Sequence, residues 1–296
     1  DRIVLLPGLY AGETKLTHGG MEGAPITIEA DQNGSVILDG RHEAGACLRL
    51  EKASNVGIKG LEIRWFAHSG VYVADSANVS VASCRIWNAG WAGVPIGSGV
   101  FVHRSPGFAA DHNVMFQFEQ GIMLLQSPRG RITFNTILRG LYGAAQFLQH
   151  SAEGAVCRNN SFAYVGNDQY TVDGNTPPEM DTFDSDYNNL GSVIGAYYIE
   201  HNAASKIGVG APEEFVAKDD FLKGRITTKA VIWKDGKRYM SLKAWQEASG
   251  KDRHSIFKDP MYVDAEHFDF RLQPGSPNIG VGEGGATIGA LGVKEK

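Results

Sequence analysis

The sequence predicts an all-β fold, a single-stranded right-handed parallel β-helix in which each coil of short strands stacks on the next. Three observations predict it. A small or amide residue followed two positions later by an apolar one recurs at Leu61, Cys84, Asn113, Asn135, Asn160 and Asn188, with spacings of 23, 29, 22, 25 and 28 residues. A second column places Gly70, Gly99, Gly121 and Ala145 each six residues before a serine: Ser76, Ser105, Ser127 and Ser151. Between these columns run short alternating stretches such as Gly70-Val71-Tyr72-Val73 and Gly99-Val100-Phe101-Val102, and period-2 alternation punctuated by Gly, Asn and Ser signals strands.

Each element follows from these patterns. A unit of 22 to 29 residues cannot bury its own apolar face, so it must stack on its neighbours. Leucine-rich repeats share the period, but their leucine consensus is absent and the coils lack helical segments. Asn113, Asn135, Asn160 and Asn188 fall at equivalent bends, where side-chain amides hydrogen-bond along the stack and satisfy buried polar groups. Three positions before the anchors stand Ile58, Val81, Ala110, Ile132 and Cys157, expected in the interior. Cys47, Cys84 and Cys157 read as small apolar fillers rather than ligands or a disulfide set. Residues 193–256 lose the rhythm. There Ile226–Trp233 reads as a strand, Asp235-Gly236 as a hairpin turn, Arg238–Ser241 as the return strand and Leu242–Ala248 as a short helix ended by Gly250. Coil-like sequence resumes at Met261, so this stretch is expected to decorate one β-helix domain spanning residues 1–296.

Composition narrows the function. Of the chain, 43% is hydrophobic and 21% charged, and no apolar run approaches the roughly 20 residues of a membrane span. Glycine is abundant at 37 residues against 11 prolines, which fits many turns rather than disorder or collagen. A net charge of −5 argues against general nucleic-acid binding. No export signal is read before strand-like Arg2–Leu6, so a mature or trimmed form is expected and the question of export stays open.

Both ends carry a resemblance. Val4-Leu5-Leu6-Pro7-Gly8-Leu9-Tyr10, Pro25-Ile26-Thr27-Ile28 and Val36-Ile37-Leu38-Asp39-Gly40 resemble the first coils of the pectin-lyase-like superfamily. Phe257-Lys258-Asp259-Pro260-Met261-Tyr262-Val263-Asp264 and Asp269-Phe270-Arg271-Leu272-Gln273-Pro274-Gly275-Ser276-Pro277 resemble its C-terminal end. The resemblance specifies the fold strongly and the activity weakly, because lyases, hydrolases, epimerases and non-catalytic adhesins share that fold. It implies a bacterial-type, secreted or periplasmic protein that handles a polysaccharide or oligosaccharide. Ser105-Pro106-Gly107-Phe108-Ala109-Ala110-Asp111-His112-Asn113 also resembles the stretch carrying an Asp-His pair in pectate lyases, where the aspartate helps bind calcium. That likeness makes Asp111 a candidate Ca²⁺ ligand and His112 its structural partner.

Outward residues of successive coils line up in columns about 4.8 Å apart, a spacing suited to an extended polymer. One column is read as Asp75, Arg104, Gln126 and His150, another as Ala74, His103, Leu125 and Gln149, and a third as Lys59, Ala82, Asp111, Thr133 and Arg158. From Gly99 to Asn160 there are five arginines (Arg104, Arg129, Arg131, Arg139, Arg158) and three carboxylates. Arginine grips carboxylates bidentately, so acidic sugars such as uronates are the expected ligand class. Asn159 through Ser205 holds no Lys or Arg but includes Asp168, Asp173, Glu179, Asp181, Asp184 and Asp186. Clustered carboxylates of this kind suit Ca²⁺.

Three chemistries stay open. β-Elimination from a uronate needs a charge neutraliser, a base and an acid, with Arg139 or Arg104, His150, and Tyr142 or Tyr164 in those roles. Hydrolysis or epimerisation is second, with Glu119 and Asp168 as the hydrolytic carboxylate pair. The third is binding without chemistry. His103, Gln126, Arg131 and Arg158 are the expected substrate contacts, joined by Trp91 in the loop Asn88–Ser98 as a sugar-stacking indole. Trp65, Trp233 and Trp245 are expected to pack, and Lys251-Asp252-Arg253-His254-Ser255 to fix the decoration to the solenoid.

Overall fold

Three parallel walls enclose a single apolar file of side chains. The computed structural model describes residues 1–88, 97–163, 168–191, 208–209, 232–234, 237–239 and 241–294. Wall A has eight strands, from Arg2–Leu5 to Asp184–Asp186. Wall B starts at Gly8–Ala11 and runs to Ser161–Ala163, and wall C starts at Thr14–Leu16 and runs to Asp168–Asp173. The long strands Val114–Leu125 and Thr136–Leu148 serve walls B and C in turn.

The interior is built in register. On wall A, Ile28, Ile58, Val81, Ala110, Ile132 and Cys157 stack as consecutive inward partners. On wall C, Val71, Val100, Ile122, Ala145 and Tyr170 do the same, all fully buried. The three cysteines are free and buried, and burial pushes the Cys84 thiol up to about 11 and the Cys47 thiol to about 12. They are fillers, as the sequence indicates.

From the third coil on, the corner between walls A and B is a single left-handed residue followed by the ladder position. Ser83, His112, Phe134, Asn159 and Tyr187 hold φ between 51° and 58° there. The ladder runs unbroken. Asn113 Oδ1 accepts the Cys84 N–H, Asn135 Oδ1 the Asn113 N–H, Asn160 Oδ1 the Asn135 N–H and Asn188 Oδ1 the Asn160 N–H, at 2.9–3.0 Å. A serine ladder marks the corner between walls C and A: Ser105, Ser127 and Ser151 accept the N–H of Ser76, Ser105 and Ser127.

Two expectations shift by one residue. The strand register sets Gly121 beside Ala144 rather than Ala145, and Gln126 beside Gln149 rather than His150. The cause is an extra turn residue, since Gln149 and His150 are both left-handed (φ 47° and 69°) before the stack resumes at Ser151. A sequence column aligned on the serines therefore slips upstream of that turn. The glycine column answers a close approach: a Cβ on Gly121 would lie 2.2 Å from Ala144 O and 2.7 Å from Ile137 Cγ2. Gly121→Val is accordingly expected to cost roughly 3 kcal/mol, because the obstacle is backbone that cannot swing aside. Urea denaturation tests this, and an unchanged midpoint would show that the coil can dilate.

The C-terminal tail covers wall B. The hairpin Tyr262–Asp264 and Asp269–Leu272 buries Tyr262, Phe270 and Leu272 against outward Val114, Phe116, Leu138 and Ala163 in a second apolar cluster. Contrary to the expectation of helix-free coils, Pro177–Thr182 is helical, and Glu179 Oε2 accepts the Thr176 N–H at 2.6 Å. Pro-Pro-Glu after Thr176 was the available signal. In the irregular stretch, Ile232–Lys234 pairs antiparallel with Lys237–Tyr239 and Leu242–Ser249 is a helix capped by Gly250. The turn Asp235-Gly236 lies outside the described residues.

Trp245 is buried in the main cluster, and Asp252 ties this segment down. Fully buried, it accepts from Trp245 Nε1 (2.9 Å), Ser185 Oγ (3.1 Å), Ser255 Oγ (2.6 Å), Asn188 Nδ2 (3.3 Å) and the Tyr170 hydroxyl. Burial first, and then the neighbouring carboxylate, pushes the Tyr170 hydroxyl well above its ordinary value, so it stays a donor.

Candidate functional site

Wall C presents the most chemically varied outward face. Alternation along each strand sends Arg49, Tyr72, Phe101, Met123, Gln146 and Thr171 outward as one file in register. The file beside it is Glu51, Ala74, His103, Leu125, Leu148 and Asp173. Tyr72, Phe101 and His103 are half-buried, held by the strands but open on one side.

The aromatic part is continuous. The Tyr72 and Phe101 rings are 5.6 Å apart, the His68 ring lies 6.0 and 5.5 Å from them, and His103 stacks on Phe101 at 6.4 Å. An arginine stands at each end. Arg49 lies 4.5 Å over the Tyr72 ring while its Nε and Nη1 donate to Glu13 and Glu51 at 3.0 and 3.3 Å, and Lys15 pairs with the same Glu51. Arg104 donates Nε and Nη2 to Asp75 at 2.7 and 2.9 Å, and its Nη1 lies 3.2 Å from His103 Nε2. The Arg104 contact holds the Asp75 carboxyl below its ordinary value, and Asp75 raises that of Arg104. Asp75 thus fixes the guanidinium and leaves Nη1 as the donor facing the wall.

The structure separates the predicted residues into groups. His103, Arg104 and Gln126 meet on or beside wall C, where Gln126 Nε2 donates to Gln149 at 3.2 Å. Asp111, Thr133 and Arg158 form the predicted column on the next strand, on wall A, with Arg131 in the neighbouring outward file. Arg158 is paired with Asp184 (2.8 Å) and Glu283 (2.5 Å). His150 lies past the end of its wall C strand and pairs with Glu179 at 2.6 Å; the Thr176 N–H first, and then His150, lowers the Glu179 carboxyl. The backbone of Arg139 sits before that strand's start at Gly143. The backbones of Arg139 and His150 therefore stand at opposite ends of a segment roughly 17 Å long. Glu119 Oε2 accepts the Gly97 N–H at 3.3 Å, and Asp168 takes the same corner two rungs on. For Arg139, Tyr142 and Asp168 only the backbone is described, and Trp91 and Tyr164 lie outside the described residues.

The acidic stretch is dispersed: Glu179, Asp184 and Asp186 pair with His150, Arg158 and His254 respectively. Asp111 has both oxygens engaged, by His112 Nδ1 and Thr133 Oγ1, each at 2.7 Å. Among the described residues no three His, Cys, Asp or Glu side chains gather as a metal shell. With both oxygens engaged by neighbours, Asp111 has no companion carboxylates with which to form a calcium shell among the described residues. Sequence reasoning missed Tyr72, Phe101, Arg49 and His68. The alternation Val71-Tyr72-Val73 and Val100-Phe101-Val102 already set the two aromatics outward.

Comparison with known proteins bears on the fold. A family model described as "Right handed beta helix region" matches residues 46–203, more than half of the chain. The uncharacterized protein YwoF of Bacillus subtilis (strain 168) is 22% identical over 251 residues, covering 82% of this chain and 40% of that protein. The chain thus spans well under half the length of that relative. The crystal structure of pectate lyase Pel9A superposes over 99% of this chain and 88% of that one, with a TM-score of 0.47 and 12% identity. Among the described residues no helix is long and apolar enough to cross a membrane.

Proposed function

This chain belongs to the right-handed beta-helix family, and we propose that it binds an extended acidic glycan along wall C and cleaves it by β-elimination. The observation that carries the reading is the aromatic file of Tyr72 and Phe101 on consecutive rungs, with Arg49 one rung before Tyr72 and Arg104 at the end of the Phe101 strand. Sugar rings stack on such faces, and the rung spacing of about 4.8 Å matches a polymer lying across the strands. A secreted or periplasmic setting fits this reading, because polymeric glycans lie outside the cytoplasm.

The chemistry proceeds from the residues in contact. A uronate carboxylate takes the Nη1 donor of Arg104, which Asp75 holds in place through Nε and Nη2. That draws Nη1 away from His103 Nε2, 3.2 Å distant, and frees the imidazole lone pair. His103 then removes the C5 proton, the electron pair forms the C4–C5 double bond, and the C4–O bond breaks. Tyr72, on the preceding rung of the same face, protonates the leaving oxygen.

Incubation with polygalacturonate, alginate or glycosaminoglycans tests the proposal. Ultraviolet absorbance of an unsaturated product is expected, and Arg104→Ala should lower its rate by at least about 100-fold. Phe101→Ala should weaken binding about tenfold with little effect on the chemical step. New reducing ends without absorbance would replace elimination by hydrolysis. Binding with neither signal would leave a glycan-binding solenoid, and no binding at all would sink the assignment.

A further inference from the structure

The bends between walls A and B hold a second concavity, away from wall C. It is an open cavity of about 290 Å³ lined by His112 and Phe134 on one side and by Ala286, Thr287, Gly289 and Leu291 of the tail on the other. The tail is pinned there: the Gly289 N–H donates to Asn159 O at 2.8 Å and the Ala290 N–H to Thr136 Oγ1 at 2.9 Å. Its volume sits at the small end of the roughly 300–1,000 Å³ typical of ligand pockets, enough for one ring and too little for a chain.

Two independent features mark this cavity. The first is conformational. The bend requires a left-handed residue, a position suited to Gly or Asn and unfavourable for bulky side chains. Neighbouring coils carry Gly60, Ser83 and Asn159, and farther on Tyr187; His112 (φ 52°) and Phe134 (φ 55°) occupy the two adjacent positions at the cavity. Their rings stack at 4.9 Å and 12°. The second is chemical. Asp111 accepts from His112 Nδ1 at 2.7 Å and is itself held by Thr133 Oγ1 at 2.7 Å. In the neutral imidazole a carboxylate at Nδ1 favours the tautomer with the proton there, which makes Nε2 the acceptor. Among the described residues Nε2 has no hydrogen-bond partner.

We propose that this cavity binds a single neutral sugar ring, one hydroxyl donating to His112 Nε2 and its apolar face lying against Phe134 and Leu291. The site stands apart from the wall C reading and holds whether or not that face turns over a glycan. Neutrality follows from Asp111, whose charge beside the imidazole disfavours a carboxylated ring. Asp111 is here a positioning residue that sets the imidazole tautomer.

The test follows the imidazole ¹⁵N resonances of the labelled protein during titration with D-xylose, methyl β-D-glucoside and D-galacturonate. The His112 signals are identified by their loss in His112→Ala. A saturating shift of His112 Nε2 is expected with a neutral sugar, with an affinity on the order of millimolar and a weaker response to galacturonate. Gly292 also lines the cavity, and Gly292→Phe should abolish the response while the protein stays folded, because nothing lies within 4 Å of a Cβ at that position. Phe134→Ala should also abolish it, whereas Tyr72→Ala should leave it unchanged. Asp111→Asn should move the His112 tautomer signature and weaken binding together. No saturating shift with either neutral sugar, a stronger response to galacturonate, or an undiminished response in both Gly292→Phe and Phe134→Ala would overturn the assignment.

Discussion

Asp252→Leu is expected to destabilise the protein by roughly 3–5 kcal/mol, the largest effect of any single substitution considered. The carboxylate is fully buried and gathers donors from four separate segments: Tyr170 on wall C, Ser185 and Asn188 in the last coil, Trp245 on the helix and Ser255 beyond it. Leucine leaves all of them without an acceptor inside the core, where each costs about 1–3 kcal/mol if water cannot replace it. Asp252→Asn preserves shape and removes the charge, yet its amide NH₂ must face donors, so most of the loss is expected to persist. Chemical denaturation followed by tryptophan fluorescence reads both, since Trp245 donates directly to this carboxylate. Wild-type stability in Asp252→Asn would mean that the network tolerates a mismatched donor.

Asn135→Ala is expected to cost about 3–4 kcal/mol, because the residue is a relay rather than an end. Its Oδ1 accepts from Asn113 N (3.0 Å) and Asn113 Nδ2 (2.9 Å), while its Nδ2 donates to Ala110 O and Thr133 O, both at 2.9 Å. Alanine leaves the buried Asn113 N–H unmatched, takes one acceptor from the Asn113 amide and removes one donor from each of two carbonyls, of which Thr133 O keeps the His112 N–H. Ser105→Ala offers a contrast. It removes the acceptor for one N–H, that of Ser76, and should cost only about 1–2 kcal/mol. Equal losses in the two variants would indicate that the amide ladder adds nothing beyond a turn hydroxyl.

These two sites differ in how far the sequence disclosed them. Asn113, Asn135, Asn160 and Asn188 stood out because their corner never varies in length, so a spacing search lands on it. Asp252 follows a stretch without rhythm, and its partners are remote in sequence, so nothing local distinguishes it from a turn aspartate. The functional face was half legible. His103, Arg104 and Gln126 were aligned correctly from the serine column, but His150 was drawn into it by one additional turn residue that spacing cannot see. The Asp111, Thr133 and Arg158 column was read on the next strand, and the register places it there, on wall A. Tyr72 and Phe101 were written in the alternation and read only as strand formers.

The fixed corner has a further consequence for how this protein can change over time. The unequal repeat lengths arise elsewhere: Trp87 and Ser98 are separated by ten residues where walls B and C meet, whereas the long strands pass that point with only a register shift at Phe118/Gln120. Insertions there leave the amide ladder and the buried file untouched. The scaffold is thereby uncoupled from its rim, so selection can lengthen, shorten or exchange the segments flanking wall C without renegotiating the stability of the stack.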